Sequence, residues 1–345
     1  MDSLQTIRFE SKENAVYILD QTRLPNELVE KRLTEPQDIF DAIKFLEVRG
    51  APLIGITAAY GLAMTAQKLT STDLDSFYKE IIELKQYFEN ARPTAVNLEN
   101  ALNRMIDGLL QCSSIDKAKK ALLDKAIAFH EEDCEIGQSI GYYGREVLQD
   151  DAKVMTYCNA GSLATGNKYG TALAPVYAAK EAGKRVAVYA CETRPVLQGA
   201  RLTTFELTYN HIPTTLITDN MMGWLMSTQK IDAIFVGCDR VAKNGDFANK
   251  IGTYTLAVMA EKHGIPFYVC TPSTTIDFSA ENASDIQIEF RDPEEVRSMW
   301  YSAPMVAKDA LILNPSFDCT PASLVTGYIT ERGILLPPFE KELFV

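Results

Sequence analysis

The sequence predicts an α/β protein built from two domains. We expect a helical domain with a small antiparallel β-meander over residues 1–148, followed by an α/β domain with a parallel sheet over residues 149–345. Apolar residues recur at helical spacing through most of the first part, and short apolar runs alternate with helical segments in the second. The chain of 345 residues also exceeds the ~150 that one domain usually holds.

The start of the chain predicts three short strands joined as an antiparallel meander. Their ranges are Thr6–Glu10, Val16–Leu19 and Leu28–Leu33. Thr34 and Gln37 then have the spacing of a capping box, and Pro36 suits the first turn of a helix. A helix is therefore expected to begin there, and helical periodicity continues to about Leu148.

A long helix is predicted at the end of the helical domain. Apolar residues between Leu122 and Val147 recur at alternating four- and three-residue steps, which places them along one packing seam. Glycines in the same stretch, among them Gly141 and Gly144, weaken this prediction because glycine lowers helix stability. Asp133 also falls on the seam and is a polar exception to it.

The second half of the chain predicts a parallel sheet. Five short, β-rich apolar runs stand at Val154–Cys158, Arg185–Cys191, Thr214–Thr218, Ala233–Cys238 and Phe267–Thr271. They are apolar throughout rather than alternating, which is typical of strands covered by helices on both faces, and a helical segment is predicted after each of the first four. The domain is therefore expected to be Rossmann-like, with ligands binding beyond the carboxyl ends of its strands.

Charge and composition argue against several classes of partner. The formal net charge is −12 and no cluster of Lys and Arg interrupts it, so neither nucleic acid nor a membrane surface is an expected partner. The first residues, MDSLQTIRFE, lack the pattern of a signal peptide, so a cytoplasmic location is expected. The seven cysteines contain no C-x-x-C pair, which favours reduced thiols and predicts no metal site.

One glycine-rich stretch is a near miss to a nucleotide-binding loop. In Gly161-Ser-Leu-Ala-Thr-Gly166-Asn-Lys168 an extra Asn167 separates glycine from lysine, and Tyr169 replaces the hydroxyl residue that would bind a metal. No G-x-G-x-x-G is present either, so neither a triphosphate nor a dinucleotide cofactor is expected. The glycines still allow a tight turn whose N–H groups hold a single phosphate.

Seven blocks stand in order along nearly the whole chain. They are Arg49-Gly-Ala-Pro-Leu-Ile-Gly55, Ala91-Arg-Pro-Thr-Ala95, Cys158-Asn-Ala-Gly-Ser162, Ala190-Cys-Glu-Thr-Arg-Pro195, Gln198-Gly-Ala-Arg-Leu202, Gly237-Cys-Asp-Arg-Val-Ala-Lys-Asn-Gly-Asp246 and Ala248-Asn-Lys-Ile-Gly-Thr253. In this order they resemble the S-methyl-5-thioribose-1-phosphate isomerase family, enzymes of methionine salvage and so of amino-acid biosynthesis. At position 238 the resemblance leads us to expect a small residue such as alanine, and Cys238 departs from it.

The resemblance implies an aldose–ketose isomerase with Asp239 and Cys158 as catalytic residues and without a cofactor or metal. Asp239 would be the general acid/base, since apolar neighbours raise the pKa of a carboxyl group and let it carry a proton at neutral pH. The alternative for Asp239 is an ion pair with Arg240. Cys158 would need a nearby cation or helix N-terminus to lower its thiol pKa, and the alternative for it is an inert core cysteine.

The resemblance also implies a set of residues that bind a phosphosugar substrate. They are Arg49, Gly50, Ala51, Arg92, Gln198, Asn249 and Lys250. Arginine offers a planar fork for phosphate oxygens, and Asn249 and Lys250 are expected to open a helix. In the alternative interpretation, Arg49 caps the end of a helix and Arg92 is a surface charge. Glu192, Arg194 and Asp219 are expected to be structural supports of the pocket.

Several alternatives remain open at the level of sequence. The same chemistry could act on 5-deoxyribose 1-phosphate, because the C5 pocket needs only to be apolar. Ribose 1,5-bisphosphate is less favoured, because a second phosphate would need further cations. Regulatory subunits of the translation-initiation exchange factor share the fold but would lack the pair Cys158 and Asp239. Whether hydrogen moves as a proton or as a hydride stays open, and the resemblance implies a homodimer.

Overall fold

The computed structural model describes residues 4–93 and 95–339, which form two compact units. The helical unit comprises the chain up to Glu135 together with Ser162–Gly170, and the α/β unit comprises Ile136–Gly161 and the chain from Thr171 onwards. The predicted division lay at residues 148 and 149. In the structure, the segment Ser162–Gly170 belongs to the helical unit, although strands of the α/β unit precede and follow it in the chain.

The helical unit begins with the predicted β-meander. Its strands are β1 (Ile7–Glu10), β2 (Ala15–Leu19) and β3 (Glu30–Leu33). They pair antiparallel in consecutive order, which confirms the prediction. The third strand starts later than expected, and the residues before it are exposed.

In the described part of the chain, five α-helices stand between the meander and the first strand of the main sheet. They are α1 (Pro36–Lys44), α2 (Ala51–Lys68), α3 (Leu74–Glu89), α4 (Val96–Ile106) and α5 (Ile115–Gly144). Every residue of α2 from Leu53 to Ala66 is buried, so this helix forms the centre of the unit's core. In the part of the chain that the structure describes, no helix combines the length and apolar character needed to cross a membrane.

The capping of α1 differs from the prediction by one residue. Glu35, and not Thr34, is the N-cap, and the carboxylate of Asp38 accepts the backbone N–H of Glu35 at 3.0 Å. Pro36 is the first helical residue, because its fixed φ and missing N–H suit that position. The helix therefore starts after Glu35, and the predicted pair Thr34 and Gln37 is wrong.

The segment Ser162–Gly170 is bound to the helical unit by polar contacts. Asp133 on α5 is buried and accepts the N–H of Gly166 and the side-chain amide of Asn167, each at 2.9 Å. His130 contacts the carbonyl of Gly166 through Nε2 at 2.8 Å and the hydroxyl of Tyr60 through Nδ1 at 2.9 Å. These bonds explain why a carboxylate interrupts the apolar seam of α5. Burial raises the pKa of Asp133, and the two donors oppose that rise.

Within its described residues, the α/β unit contains two sheets, the end of α5 and five further α-helices. Its strands are β4 (Ala152–Thr156), β5 (Val186–Cys191), β6 (Thr214–Ile217), β7 (Ala233–Val236), β8 (Arg240–Ala242), β9 (Phe247–Lys250), β10 (Phe267–Cys270), β11 (Ile276–Asp277), β12 (Phe317–Thr320), β13 (Gly327–Thr330) and β14 (Gly333–Leu335). Its helices are α6 (Ala174–Glu181), α7 (Thr204–Tyr209), α8 (Met222–Thr228), α9 (Thr253–His263) and α10 (Glu294–Arg297).

The main sheet has seven strands in the order β14-β13-β10-β7-β4-β5-β6. All neighbours pair in parallel except β13 with β14. The five predicted strands are confirmed as members of this parallel sheet, while β13 and β14 were not predicted. Tyr328 on β13 is fully buried, so the buried core of this unit includes a strand beyond the five that the sequence predicts.

The second sheet has the order β11-β8-β9-β12 and stands where a helix was expected after β7. Asn249 and Lys250 end β9 and do not open a helix, so that expectation is wrong. The reason is that β9 pairs antiparallel with both β8 and β12, which satisfies its backbone as a strand. The next helix, α9, begins only after Gly252, whose φ of 104° lets the chain turn there.

The glycines of α5 that weaken the helix prediction mark a close approach to α6. A Cβ on Gly141 would lie 3.0 Å from the carbonyl oxygen of Ala174, and one on Gly144 would lie 2.4 Å from Cγ of Pro175. Both positions belong to the last turns of α5, within the α/β unit. The missing side chains allow the two helices to pack in contact, which offsets the lower helix propensity of glycine.

We predict that Gly144→Ala destabilises the protein by about 1–3 kcal/mol, the usual cost of overpacking a filled site. The added methyl group would overlap the rigid ring of Pro175. Urea denaturation measures the free energy of unfolding. Gln138→Ala, at an exposed position of the same helix, is the control and should change it by less than about 0.5 kcal/mol. A variant at Gly144 as stable as the wild type would contradict the close approach of α5 and α6.

Candidate active site

The two predicted catalytic residues follow neighbouring strands of the parallel sheet. Cys158 follows β4 and Asp239 follows β7, and these strands pair in parallel with Thr156 opposite Phe235. The loops that carry them are in contact, because a Cβ on Gly237 would lie 2.7 Å from Cβ of Ala160. The structure therefore brings the Cys158 loop and the Asp239 loop together at the carboxyl end of the sheet, where open α/β folds bind ligands.

Cys158 has an unusual backbone conformation. Its φ is 63°, in the left-handed region, which costs a residue with a side chain about 1–2 kcal/mol. Its N–H donates to Oγ1 of Thr193 at 2.8 Å, and its carbonyl accepts from Oγ1 of Thr203 at 2.6 Å. The side chain is half-buried. Two threonine hydroxyls thus hold Cys158 from both sides of its α-carbon.

The loop after β5 is anchored by Asp219. The two carboxylate oxygens of Asp219 accept the N–H groups of Thr193 and Arg194, each at 2.8 Å. Burial and the nearby Asp219 carboxylate both raise the pKa of Tyr157, the residue before Cys158. Asp219 therefore supports the loop by binding its backbone, which is the structural role expected for it.

Gln198 lies in the next turn of the same loop. It is 7% exposed and directly precedes a π-helical turn, Gly199–Thr203. Such turns occur often at functional sites. Within the described residues its Oε1 has no hydrogen-bond partner, which is rare for a buried amide oxygen.

Asp239 lies beside the end of β9. Its N–H donates to the carbonyl of Ala248 at 2.9 Å, so it neighbours the predicted binding residues Asn249 and Lys250 in the second sheet. Asp239 is half-buried. Arg240, the partner in the alternative interpretation, makes an ion pair with Asp277 at 3.4 Å across β8 and β11.

Asn249 and Lys250 are both positioned by neighbouring groups. Asn249 is buried, and its side-chain amide donates to Oγ1 of Thr253 at 3.0 Å. That hydroxyl in turn donates to the carbonyl of Lys250 at 2.6 Å. The ammonium group of Lys250 lies 4.7 Å from the ring centre of Phe317, a cation–π distance.

Sequence reasoning missed Asp318, which caps α9 beside these two residues. Asp318 pairs with Asn249 in the β9–β12 ladder, and its carboxylate accepts the N–H of Gly252 at 2.7 Å and that of Tyr254 at 3.1 Å. Burial raises its pKa to about 6, while these two bonds and the charge of Lys250 act in the opposite direction. Strand β12 has no recognisable pattern in the sequence, so no local signal indicated this residue.

The remaining predicted binding residues lie in the helical unit. Gly50 is the N-cap of α2 and Ala51 is its first residue, so Arg49 leads into a helix N-terminus, where backbone N–H groups favour anions. The helix before it, α1, ends at Lys44, so Arg49 does not cap a helix end. Gly50 has a φ of 90°, and a Cβ there would lie 2.4 Å from the carbonyl oxygen of Ala164.

Arg92 follows the end of α3 and is half-buried. Its N–H donates to the carbonyl of Glu89 at 3.2 Å. It is therefore more enclosed than the surface charge of the alternative interpretation. Thr94, from the same sequence block, lies outside the described residues.

Several N–H groups in and just after the glycine-rich stretch Gly161–Lys168 bind side chains of the protein. The N–H of Gly166 binds Asp133, and those of Tyr169 and Gly170 bind Oδ1 of Asn167 at 2.9 and 2.7 Å. These donors are used within the helical unit. The extra Asn167, which spoils the nucleotide motif, is the residue that folds the loop back on itself.

All seven cysteines are free thiols, and burial raises the pKa of Cys191, Cys238 and Cys270. Over residues 4–93 and 95–339, no three His, Cys, Asp or Glu side chains form a group that could hold a metal ion. Cys238 is half-buried between β7 and β8, and its Sγ lies 3.6 Å from the carbonyl of Ala248.

Comparison with known proteins gives one family and several relatives. The model of the Initiation factor 2 subunit family matches residues 47–337. A methylthioribose-1-phosphate isomerase from Bacillus pumilus is 47% identical over 97% of this chain and 94% of its own. A 5-deoxyribose 1-phosphate isomerase from Petrotoga mobilis is 47% identical over 98% and 97% of the two chains. The solved structure of 5-methylthioribose 1-phosphate isomerase from Pyrococcus horikoshii OT3 superposes with a TM-score of 0.92 at 39% identity, covering 100% of this chain and 96% of that one.

We predict that Asp318 makes stability depend on pH between about 4 and 6. The unfolded chain releases this proton near 3.8 and the folded chain near 6, so between these values the folded state binds more protons. The free energy of unfolding contributed by Asp318 is therefore complete below about pH 4 and is lost as pH rises through 6. Asp318→Asn removes this titration. The difference in unfolding free energy, wild type minus variant, should fall across the window in urea denaturation.

Asp277→Asn is the matched control for this experiment. Hydrogen bonds from Ser279 lower the pKa of Asp277, so its contribution to the free energy of unfolding is already complete above about pH 4. The difference in unfolding free energy between the wild type and Asp277→Asn should therefore stay constant from about pH 4 to 6. A flat difference for Asp318→Asn as well would contradict the raised pKa.

Proposed function

We propose that this chain, which belongs to the Initiation factor 2 subunit family, is an aldose–ketose isomerase of sugar phosphates. The proposed reaction converts S-methyl-5-thioribose 1-phosphate to S-methyl-5-thioribulose 1-phosphate in methionine salvage. Near-full-length identity to isomerases of this name supports the substrate. The observation that carries the proposal is the contact between the Cys158 loop and the Asp239 loop on neighbouring strands.

The chemistry needs a proton donor before it needs a hydrogen transfer. The phosphate on C1 keeps the sugar closed, so the ring opens only when its ring oxygen receives a proton. We assign Asp239 as the acid that supplies this proton, because it is half-buried at the end of a strand whose residues are all buried. General acid–base catalysis of this kind contributes about 10²–10⁴ in rate.

The next step breaks the C2–H bond and forms a C1–H bond. If hydrogen moves as a proton, a base removes it from C2, an acid returns a proton to C1, and the C2 hydroxyl loses its own proton as the ketone forms. The Cys158 thiolate is our candidate for the base that acts at C2. If it moves as a hydride, it passes from C2 to C1 while the C2 hydroxyl loses its proton to a base. Both routes balance without a nicotinamide or a metal, and both need the thiol and carboxyl loops next to each other.

Binding roles in the α/β unit are proposed for three residues. Gln198 would accept a sugar hydroxyl at its Oε1, since a buried acceptor gains most from a new donor. Asn249 would bind a second hydroxyl, and Lys250 would bind an anionic oxygen. The hydrogen bonds that hold Asn249 and the Lys250 backbone in place support these roles.

Binding roles in the helical unit are proposed for the Arg49-Gly50-Ala51 turn and for Arg92. The guanidinium groups of the two arginines suit phosphate oxygens, and the N-terminus of α2 adds the positive end of a helix dipole. The absence of a side chain at Gly50 lets the backbone of Ala164 approach closely, which holds this turn against the segment Ser162–Gly170.

Two other functions stay in competition. A 5-deoxyribose 1-phosphate isomerase would use the same residues, and a relative of that name matches this chain equally well. A non-catalytic regulatory subunit of the translation-initiation type would keep the fold, but the presence of both Cys158 and Asp239 favours an enzyme.

We also propose a cytoplasmic homodimer whose catalytic residues lie in the α/β unit. The seven reduced cysteines support the location. Exposed apolar side chains between Phe290 and Leu313 support an interface, and Leu311 among them is 100% exposed.

We predict that the purified protein isomerises methylthioribose 1-phosphate without added NAD. A methyl group in place of methylthio is worth about 1–3 kcal/mol, so 5-deoxyribose 1-phosphate should react with kcat/KM lowered at most about 200-fold. Ribose 1,5-bisphosphate should react more slowly than either. A coupled ketose assay with the three sugars measures this, and no turnover of any of them would favour the regulatory-subunit alternative.

We predict that Asp239→Asn folds normally and loses about 10²–10⁴ in kcat, because the amide cannot donate the proton that opens the ring. Steady-state kinetics and a thermal melt measure the two properties. Asp277→Asn replaces a half-buried carboxylate in β11 of the second sheet and should keep kcat within about threefold. Near-wild-type turnover in Asp239→Asn would remove Asp239 from the catalytic role.

A further inference from the structure

We propose that Thr193 and Thr203 are positioning residues that lock Cys158 in its left-handed backbone conformation and thereby fix the direction of its thiol. The consequence for turnover rests on the isomerase function proposed above. The lock itself is a property of the fold, and it can be tested without any substrate.

The two hydroxyls clamp Cys158 from opposite sides. Oγ1 of Thr193 accepts the Cys158 N–H at 2.8 Å, and Oγ1 of Thr203 donates to the Cys158 carbonyl at 2.6 Å. Both threonines are fully buried, so water cannot replace either bond cheaply. The clamp acts on the backbone and leaves the half-buried thiol outside it.

Each hydroxyl uses both its proton and a lone pair, which sets its orientation. The proton of Thr193 goes to the carbonyl of Cys191 at 3.1 Å, so a lone pair faces the Cys158 N–H. The proton of Thr203 goes to Cys158, and its lone pair accepts from the amide of Asn159 at 3.2 Å. The same amide donates to the fully buried Glu206 at 2.5 Å.

The clamp is itself anchored on residues of the site. Thr193 has a φ of 66°, and Asp219 holds its N–H and that of Arg194. Thr203 ends the π-helical turn that begins just after Gln198. A residue with a side chain rarely adopts a positive φ without support. Here two supports, one from the loop after β5 and one from the π-helical turn, converge on the residue that carries the candidate base.

A purely structural role would predict something different. If the threonines only stabilise the loop, removing a hydroxyl lowers the melting temperature and leaves the reactivity of Cys158 in the folded protein unchanged. If they position Cys158, removal changes thiol reactivity and kcat while KM for the sugar phosphate stays close to the wild type, since neither threonine is assigned to binding.

The experiment compares Thr193→Val and Thr203→Val, which keep the shape but remove the hydroxyl, with Thr193→Ser and Thr203→Ser, which keep the hydroxyl. Isomerase kinetics give kcat and KM. Alkylation by iodoacetamide, followed by mass spectrometry of the peptides, gives the reaction rate of Cys158. The exposed Cys134 in the same sample is the internal reference.

We expect each Val variant to lose about 10- to 100-fold in kcat with KM within about threefold, and each Ser variant to stay within about threefold of the wild type. The Cys158 alkylation rate, relative to Cys134, should rise at least about threefold in the Val variants only, because a released backbone exposes the thiol more often. Val variants with unchanged kcat and unchanged alkylation overturn the proposal, as do Ser variants as impaired as their Val counterparts.

If the Val variants do not fold, Asp219→Asn is the second test of whether this loop positions Cys158. Its side chain keeps its shape but loses one of the two acceptors for the N–H groups of Thr193 and Arg194, so the same drop in kcat and rise in Cys158 alkylation are expected at smaller size. No change in either overturns the proposal. If the wild type isomerises none of the sugars, the function proposed above fails, while the alkylation rates still test the clamp.

Discussion

The parallel pairing of β4 with β7 is the constraint on which the candidate site depends. It sets Thr156 opposite Phe235, so the two chains leave the sheet side by side and their loops meet. The glycine at position 237 makes that contact possible, because any side chain would collide with Ala160. A shift of register by one residue would turn the side chains of one strand to the opposite face of the sheet.

Around this pairing, the site is built largely from backbone groups held by side chains. Asp219 binds the β5 loop, Thr193 and Thr203 bind Cys158, and Asp318 binds the start of α9. None of these bonds needs a ligand. A substrate would therefore meet groups that are already oriented, and little ordering would be required when it binds. Gln198 is the exception, since its buried oxygen is satisfied by nothing in the described structure.

How much of this could be predicted from the sequence differs from element to element. The five strands of the main sheet were predictable because each is a continuous apolar run, and the polar residues that follow them marked the rim. The β8–β9 hairpin was missed because Asn249 and Lys250 precede an apolar helix and resemble its first turn, while the pairing that makes them a strand comes from β12, far along the chain. The left-handed φ of Cys158 was unpredictable for the same reason, since the hydroxyls that hold it lie on another loop. The roles of the site residues remain predictions.

The segment Ser162–Gly170 has a consequence for any attempt to divide the protein. It supplies the donors that surround the buried Asp133, yet it is encoded after the first strand of the other unit. A fragment ending at residue 148 would keep the Asp133 carboxylate and lose both of its donors, Gly166 and Asn167. The two units are thus interleaved in the gene and not modular, so a recombination point between them could not exchange one without damaging the other.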